Sequence, residues 1–255
     1  MSGFDQVGAD DSNLRAAIGD LAGLVAGSRP LSESLAEVAG FAARAIPGAD
    51  GVGVALFRGA PDETVEASSA SAAFVEEIEQ IQYVTLGEGP AFSSVRERKP
   101  VLSDSVGGDQ RWPRFGPRVG RLGVHSVLAL PLVVTDRVVG AISLYAYGKH
   151  AFGEHAVEVA ELFARPAAVA VHNAQVLAHA QVLTARLQAA LQTRPAIDQA
   201  VGLIRGRTGR SAEDALSHLR AISQAEQRKL VDVAQSLVDE AARRARARAG
   251  SRGVT

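Results

Sequence analysis

Five cations in the last quarter of the chain have the types and spacing for joint chemistry: Arg194, Arg205, Arg220, Arg228 and Lys229. Guanidinium and ammonium groups are positively charged donors with no acceptor, and phosphate is their natural counterpart. Arg194 and Arg205 are eleven residues apart, which places them about 20° apart around a helix, on one face. Arg220 closes a second helical pattern, and Arg228-Lys229 open a third. Residues 184–255 hold 13 Lys+Arg against 7 Asp+Glu, and residues 1–183 hold 14 against 21. The formal net charge of −1 therefore hides an acidic body and a basic tail. Cations spread over three short helices make a surface, and such a surface suits a polyanion. The plainer alternative is a solvated helical face with incidental ion pairs.

A second group could bind a small molecule. Tyr83, Trp112, Phe115 and His125 are expected to line a ligand cavity in the middle of the chain. The competing reading makes the aromatics loop anchors in the core, and His125 a strand-end histidine bonded locally.

Other chemistries find no residues. Cysteine is absent, so there is no disulfide, thiolate nucleophile or Cys-ligated metal. The six histidines form no HxH or HExxH pair, and neither a metal nor a cofactor is expected. No GxSxG occurs. Gly87-Glu88-Gly89-Pro90 lacks the lysine and length of a phosphate loop, and reads as a turn that starts a helix. The chain reads as a non-enzyme. MSGFDQVGADD has no apolar core of a signal peptide, and no uncharged apolar run reaches about 18 residues, so a cytoplasmic protein without a membrane span is expected.

Periodicity supplies the elements that must position these residues. Residues 11–27 carry a helical stripe through Leu14, Ala17, Ile18, Leu21, Leu24 and Val25. Ser32 is placed to cap a second helix ended by Pro47-Gly48. These helices either pack on a neighbouring domain or form a dimer contact. From 49 to 152 the period changes: GVGVALF, TVEASS, HSVLALPLVV and RVVGAISLYAY are strand-like, with a hairpin closed around Thr135-Asp136-Arg137 and helices at about 71–80 and 88–98. The fold class is α+β with an antiparallel sheet, followed by a long helix and an all-α three-helix module. Residues 153–193 read as one helix, with a kink at Arg165-Pro166. Val176, Leu183 and Ala190 are spaced by seven, Ala180 and Leu187 form a second row, and a second copy in a parallel coiled coil is the economical partner. Gly209 stops the next helix, Ser211 caps another, and the last starts at Ser223 or Ala225. The divisions are 1–30, N-terminal helix; 31–176, α+β domain; 177–193, helical linker; 194–245, three-helix module; 246–255, disordered basic tail.

The last fifty residues resemble the ANTAR domain of bacterial antitermination regulators. The carriers are Arg194-x-x-Ile197, Gln199-Ala200-x-Gly202, Ala215 with Leu219-Arg220, Ser223-Gln224 and Lys229-Leu230-x-x-Val233-Ala234. The resemblance implies a module that binds paired RNA stem-loops and keeps a terminator hairpin from forming. It departs from the family at Val201, where many members have lysine. Residues of roughly 31–176 resemble a GAF sensor domain. The carriers are Gly51–Phe57, Leu86–Pro90, Pro100–Leu102, Gly123–Leu132 and Val139–Tyr145. Gly148-Lys149-x-x-Phe152 lacks the asparagine and acidic pair of cyclic-nucleotide-binding members. Bilin-attaching and methionine-sulfoxide-reducing members need a cysteine that this chain lacks. Together the two resemble GAF–ANTAR regulators. The expected function is a dimeric, signal-responsive regulator that binds paired stem-loops in nascent RNA, works near RNA polymerase and responds to an unknown small molecule. The alternative is a small-molecule sensor whose basic helices dock an acidic protein.

Overall fold

The computed structural model describes residues 3–24, 29–58 and 64–252, with side chains at 3–6, 189–193 and 247–252 outside the described set. The chain divides into two compact units, Met1–Ala178 and His179–Thr255.

In the first unit a five-stranded antiparallel sheet takes the order β2-β1-β5-β4-β3, with β1 Gly51–Arg58, β2 Thr64–Ala70, β3 Val101–Ser103, β4 Ser126–Val134 and β5 Arg137–Ala146. Thr135 and Asp136 form the hairpin turn between β4 and β5, as their sequence suggests. β1 is buried on both faces, so it reads as a continuous apolar run rather than an alternation. Val52 and Val54 of β1 pair with Leu144 and Ile142 of β5. These residues join a cluster with Leu35, Val38, Ala42 and Phe163 from helices α2 (Leu31–Ala45) and α6 (Glu154–Thr208). Each large side chain so buried contributes on the order of 1.5–3 kcal/mol. Helix α1 (Gly3–Leu24) adds Leu14, Ala17 and Leu21 to this same cluster, so the N-terminal helix is part of the unit's own core.

The opposite face of the sheet carries α3 (Ala73–Glu79), α4 (Pro90–Glu97) and α5 (Phe115–Arg121) over two smaller apolar clusters. Helix α3 begins two residues later than the sequence suggests and then continues as a π-helical segment over Gln80–Leu86. Gly87, at φ 60°, ends it. Ser32 lies inside α2 rather than at its cap, which Pro30 occupies without a side-chain bond. Helix α6 runs through Pro166. Proline removes one backbone bond there, and the remaining bonds of a 55-residue helix carry it past.

The second unit contains the C-terminal part of α6, then α7 (Ala212–Glu226) and α8 (Leu230–Arg252). Gly209 ends α6 with φ 70°, a left-handed conformation that glycine adopts at no steric cost. Ser211 caps α7, its hydroxyl accepting from Asp214 N at 3.1 Å. Ala200, Leu219, Val233 and Ala234 form the small core. Two expectations change. Ser223 and Ala225 belong to α7, and α8 starts at Leu230 after a left-handed Gln227. Helix α8 also continues to Arg252, where the sequence suggests disorder from 246, because alanine and arginine are both strong helix formers. Residues 253–255 lie outside the described set.

Candidate functional site

The second unit places all five sequence-selected cations at its surface. Ile197, Val201 and Ile204 of α6 pack against the small core, while Arg194 and Arg205 are exposed. Among the described residues, Arg194, Arg205, Arg220 and Lys229 make no ion pair or side-chain hydrogen bond. Arg228 differs. Its guanidinium donates to Glu226 Oε2 at 2.9 Å, Ser236 Oγ at 2.7 Å and the Asp232 carbonyl at 3.3 Å. It braces the α7–α8 turn, together with the Ser223 hydroxyl, which donates to the Arg228 carbonyl at 2.6 Å. Helix dipoles separate the remaining cations further. Arg205 stands in the last turn of α6, where a cation is favourable anyway. Lys229 stands just ahead of α8, where the dipole disfavours a cation, so helix stability does not explain it.

In the first unit the four proposed ligand-lining residues are not brought together. Trp112 and Phe115 are buried in one apolar cluster, with ring centroids 6.5 Å apart and edge-to-face. The indole Nε1 donates to Ser93 Oγ at 2.9 Å. Tyr83 packs in a different cluster, against Phe57 and Phe92. His125 is half-buried just before β4, where its backbone bonds Ala146 and Val106. Cavities of about 550 Å³ around Asp104, His150 and Phe152, and about 220 Å³ around Pro131, Glu161 and Arg165, have none of the four in their walls. Among the described residues no group of three or more His, Asp or Glu is placed to hold a metal ion, and no helix is long and apolar enough to cross a membrane.

A polar cluster that sequence pattern alone does not single out lies on the α3 face of the sheet. Glu79 closes α3 and is buried, as are Gln82, Ser143 and Tyr145. The Tyr145 hydroxyl donates to Glu79 Oε1 at 3.2 Å. The Tyr83 hydroxyl is also inside, although the residue as a whole is only half-buried. Burial pushes the Glu79 carboxyl up to about 8, against the smaller lowering effect of its Tyr145 and Tyr83 bonds. Glu79 Oε2, Gln82 Nε2 and Ser143 Oγ have no partner of hydrogen-bond geometry, although Ser143 lies beside both tyrosine hydroxyls. Gly53 of β1 makes room, because a Cβ there would collide with the Glu79 carboxyl. The sequence does hold a usable signal: Glu79 shares a helix face with Val75 and Ile78, whereas Glu76 and Glu77 face water.

Comparison with known proteins then decides the family. The GAF domain family model matches residues 28–172, more than half of the chain. The chain belongs to the GAF domain family. The ANTAR domain model matches residues 185–238. A GAF domain followed by an ANTAR domain is the architecture of antitermination regulators. Among solved structures, the GAF domain of a phosphoenolpyruvate-protein phosphotransferase from Coxiella burnetii is 17% identical. The match covers 68% of this chain and 98% of that one, with a TM-score of 0.47. The corresponding domain from Acinetobacter is 14% identical, covering 69% and 97%, with a TM-score of 0.48. A free methionine-R-sulfoxide reductase from Neisseria meningitidis is 14% identical, covering 64% and 90%, with a TM-score of 0.47. No curated protein matches the chain.

Within the ANTAR domain the motif positions separate by burial. Ala200, Ala215, Leu219 and Ala234 are buried, whereas Arg194, Arg220 and Lys229 are exposed. Val201 is half-buried against the ANTAR core, so its apolar side chain serves packing.

Proposed function

We propose that this GAF–ANTAR regulator works as a homodimer in the cytoplasm, binds paired stem-loops in nascent RNA through Arg194, Arg205, Arg220 and Lys229, and keeps a terminator hairpin from forming beside RNA polymerase. The observation that carries the reading is the set of exposed, unpaired cations on an ANTAR domain whose apolar motif residues are all spent on the core. Stem-loops are recognised through shape, phosphates and unstacked loop bases, which such donors can reach. The GAF domain supplies the sensing half, its input an unidentified small molecule. Two modules in a dimer match two hairpins, and the linked second binding event adds avidity without any new kind of interaction.

Support for the dimer comes from α6. Val176, Leu183 and Leu187 are 52%, 58% and 57% exposed, an unusual position for three large aliphatic residues on the spacing of a coiled-coil seam. Ala190, part of the same row, lies outside the described side chains.

Filter binding tests the reading. The full chain should retain a two-hairpin RNA more tightly than a single hairpin, and a single hairpin more tightly than random RNA. Equal binding to all three would favour the acidic-protein partner instead.

A further inference from the structure

The buried cluster around Glu79 is chemically unusual for a sheet–helix interface. Five polar side chains (Glu79, Gln82, Tyr83, Ser143 and Tyr145) meet in a layer otherwise built of Val75, Ile78, Ala91 and Phe57. The groups that face Glu79 are Tyr83 from the π-helical segment and Tyr145 from β5, with Ser143 of β5 and Gln82 beside them. β1 offers only Gly53, and α4 offers the backbone N–H of Ala91, already donated to Gln82 Oε1 at 3.2 Å. None of these groups carries a positive charge. An ionised carboxylate here would be buried and unpaired, which proteins avoid by holding the group neutral. Tyr145 already donates to Oε1, so Oε2, which has no partner, is the oxygen left to carry the proton.

Ile81, Tyr83 and Leu86 are half-buried and Val84 is exposed, so the segment that follows Glu79 has one side in water. That segment is π-helical, a rare geometry that is frequently found at functional sites. Its far end is tied down by Glu88, whose Oε1 accepts from the backbone N–H groups of Arg114 and Phe115 at 2.8 and 3.0 Å.

We propose that Glu79 is a proton-operated latch in the GAF domain: its neutral acid seals the π-helical segment onto the sheet, and loss of that proton releases the segment. The latch rests on the reading of this domain as a sensor and adds protonation as an input to it. The direction follows from linkage. The folded carboxyl is held up at about 8, well above its ordinary 4.5. The stability this gives is full below pH 4.5, declines as pH rises and is gone above about 8. The neighbouring tyrosines, whose hydroxyls are held well above their usual range by burial, do not titrate in that window.

The chain carries its own reporter. Trp112 is the sole tryptophan, is 2% exposed, and shares a cluster with Val75 and Ile78 of α3. The experiment follows Trp112 emission and hydrogen exchange over residues 73–89 of the full-length protein, the latter corrected for intrinsic exchange, from pH 6 to 9.5. The parent should show a red shift and at least tenfold faster exchange, with a midpoint near 8. Glu79→Gln should abolish the transition. Tyr145→Phe, which removes a bond that favours the ionised form, should move the midpoint to higher pH and decides the matter if the glutamine variant does not fold. Infrared spectra at pH 6.5 should show a buried carboxylic acid band that Glu79→Gln lacks. No transition in the parent, or the same midpoint in Tyr145→Phe, would overturn the latch. Hairpin-RNA affinity of the isolated chain at pH 6.5 tests the regulator reading separately, so the two can fail independently.

Discussion

At the scale of single residues, burial divides the second unit into side chains that pack and side chains that face outward. Leu219 is fully buried, and Leu219→Ala should cost about 2–5 kcal/mol, read as a lower melting temperature of the ANTAR helices. Arg220 and Lys229 are exposed and unpaired, so Arg220→Ala with Lys229→Ala should leave helical content unchanged by circular dichroism. Arg228→Ala belongs between the two, because it removes the brace at the α7–α8 turn as well as a charge. The basic surface was legible in the sequence because arginine and lysine rarely hide. The distinction between Arg228 and its neighbours was not, because it depends on a turn that brings Glu226 and Ser236 to one guanidinium. Glu79 was harder to see, although its spacing puts it on the helix face of Val75 and Ile78. In an amphipathic pattern a glutamate marks the solvent face, and only the sheet packed against α3 turns this one into a buried acid.

Among the elements, the caps and the long helix carry the sharpest expectations. Ser211 satisfies the Asp214 N–H at the start of α7, so Ser211→Ala should cost about 1 kcal/mol, measured by chemical denaturation. Helix α6 exposes Leu183 and Leu187, at 58% and 57%. Replacing both by glutamate should shift the protein toward monomer by light scattering, because each leucine buried in a dimer contributes on the order of 1.5–3 kcal/mol. A pair that stayed dimeric would place the interface elsewhere. Strand positions were legible because β-branched runs bounded by glycine and proline leave little choice. The π-helical continuation of α3 was not, since π-helices are rare and hydrophobic periodicity reads the α-helical repeat.

For the whole molecule, a sensing unit is joined to an RNA-binding unit, with the division at Ala178/His179. A fragment ending near Ala180 should stay soluble and melt cooperatively, because the first unit owns its sheet and both apolar layers. Charge follows the same division, acidic in the body and basic beyond it. The measurement that tests RNA recognition by the basic unit most directly is equilibrium binding of a two-hairpin RNA to the full chain across a range of salt concentrations. The parent should prefer this RNA to random RNA. The Arg220→Ala, Lys229→Ala double variant should bind more weakly, with the slope of log affinity against log salt flatter by about 0.7–0.9 for each phosphate that it no longer neutralises. A parent that binds the paired hairpins no better than random RNA, or a double variant that matches the parent at every salt concentration, would contradict this assignment.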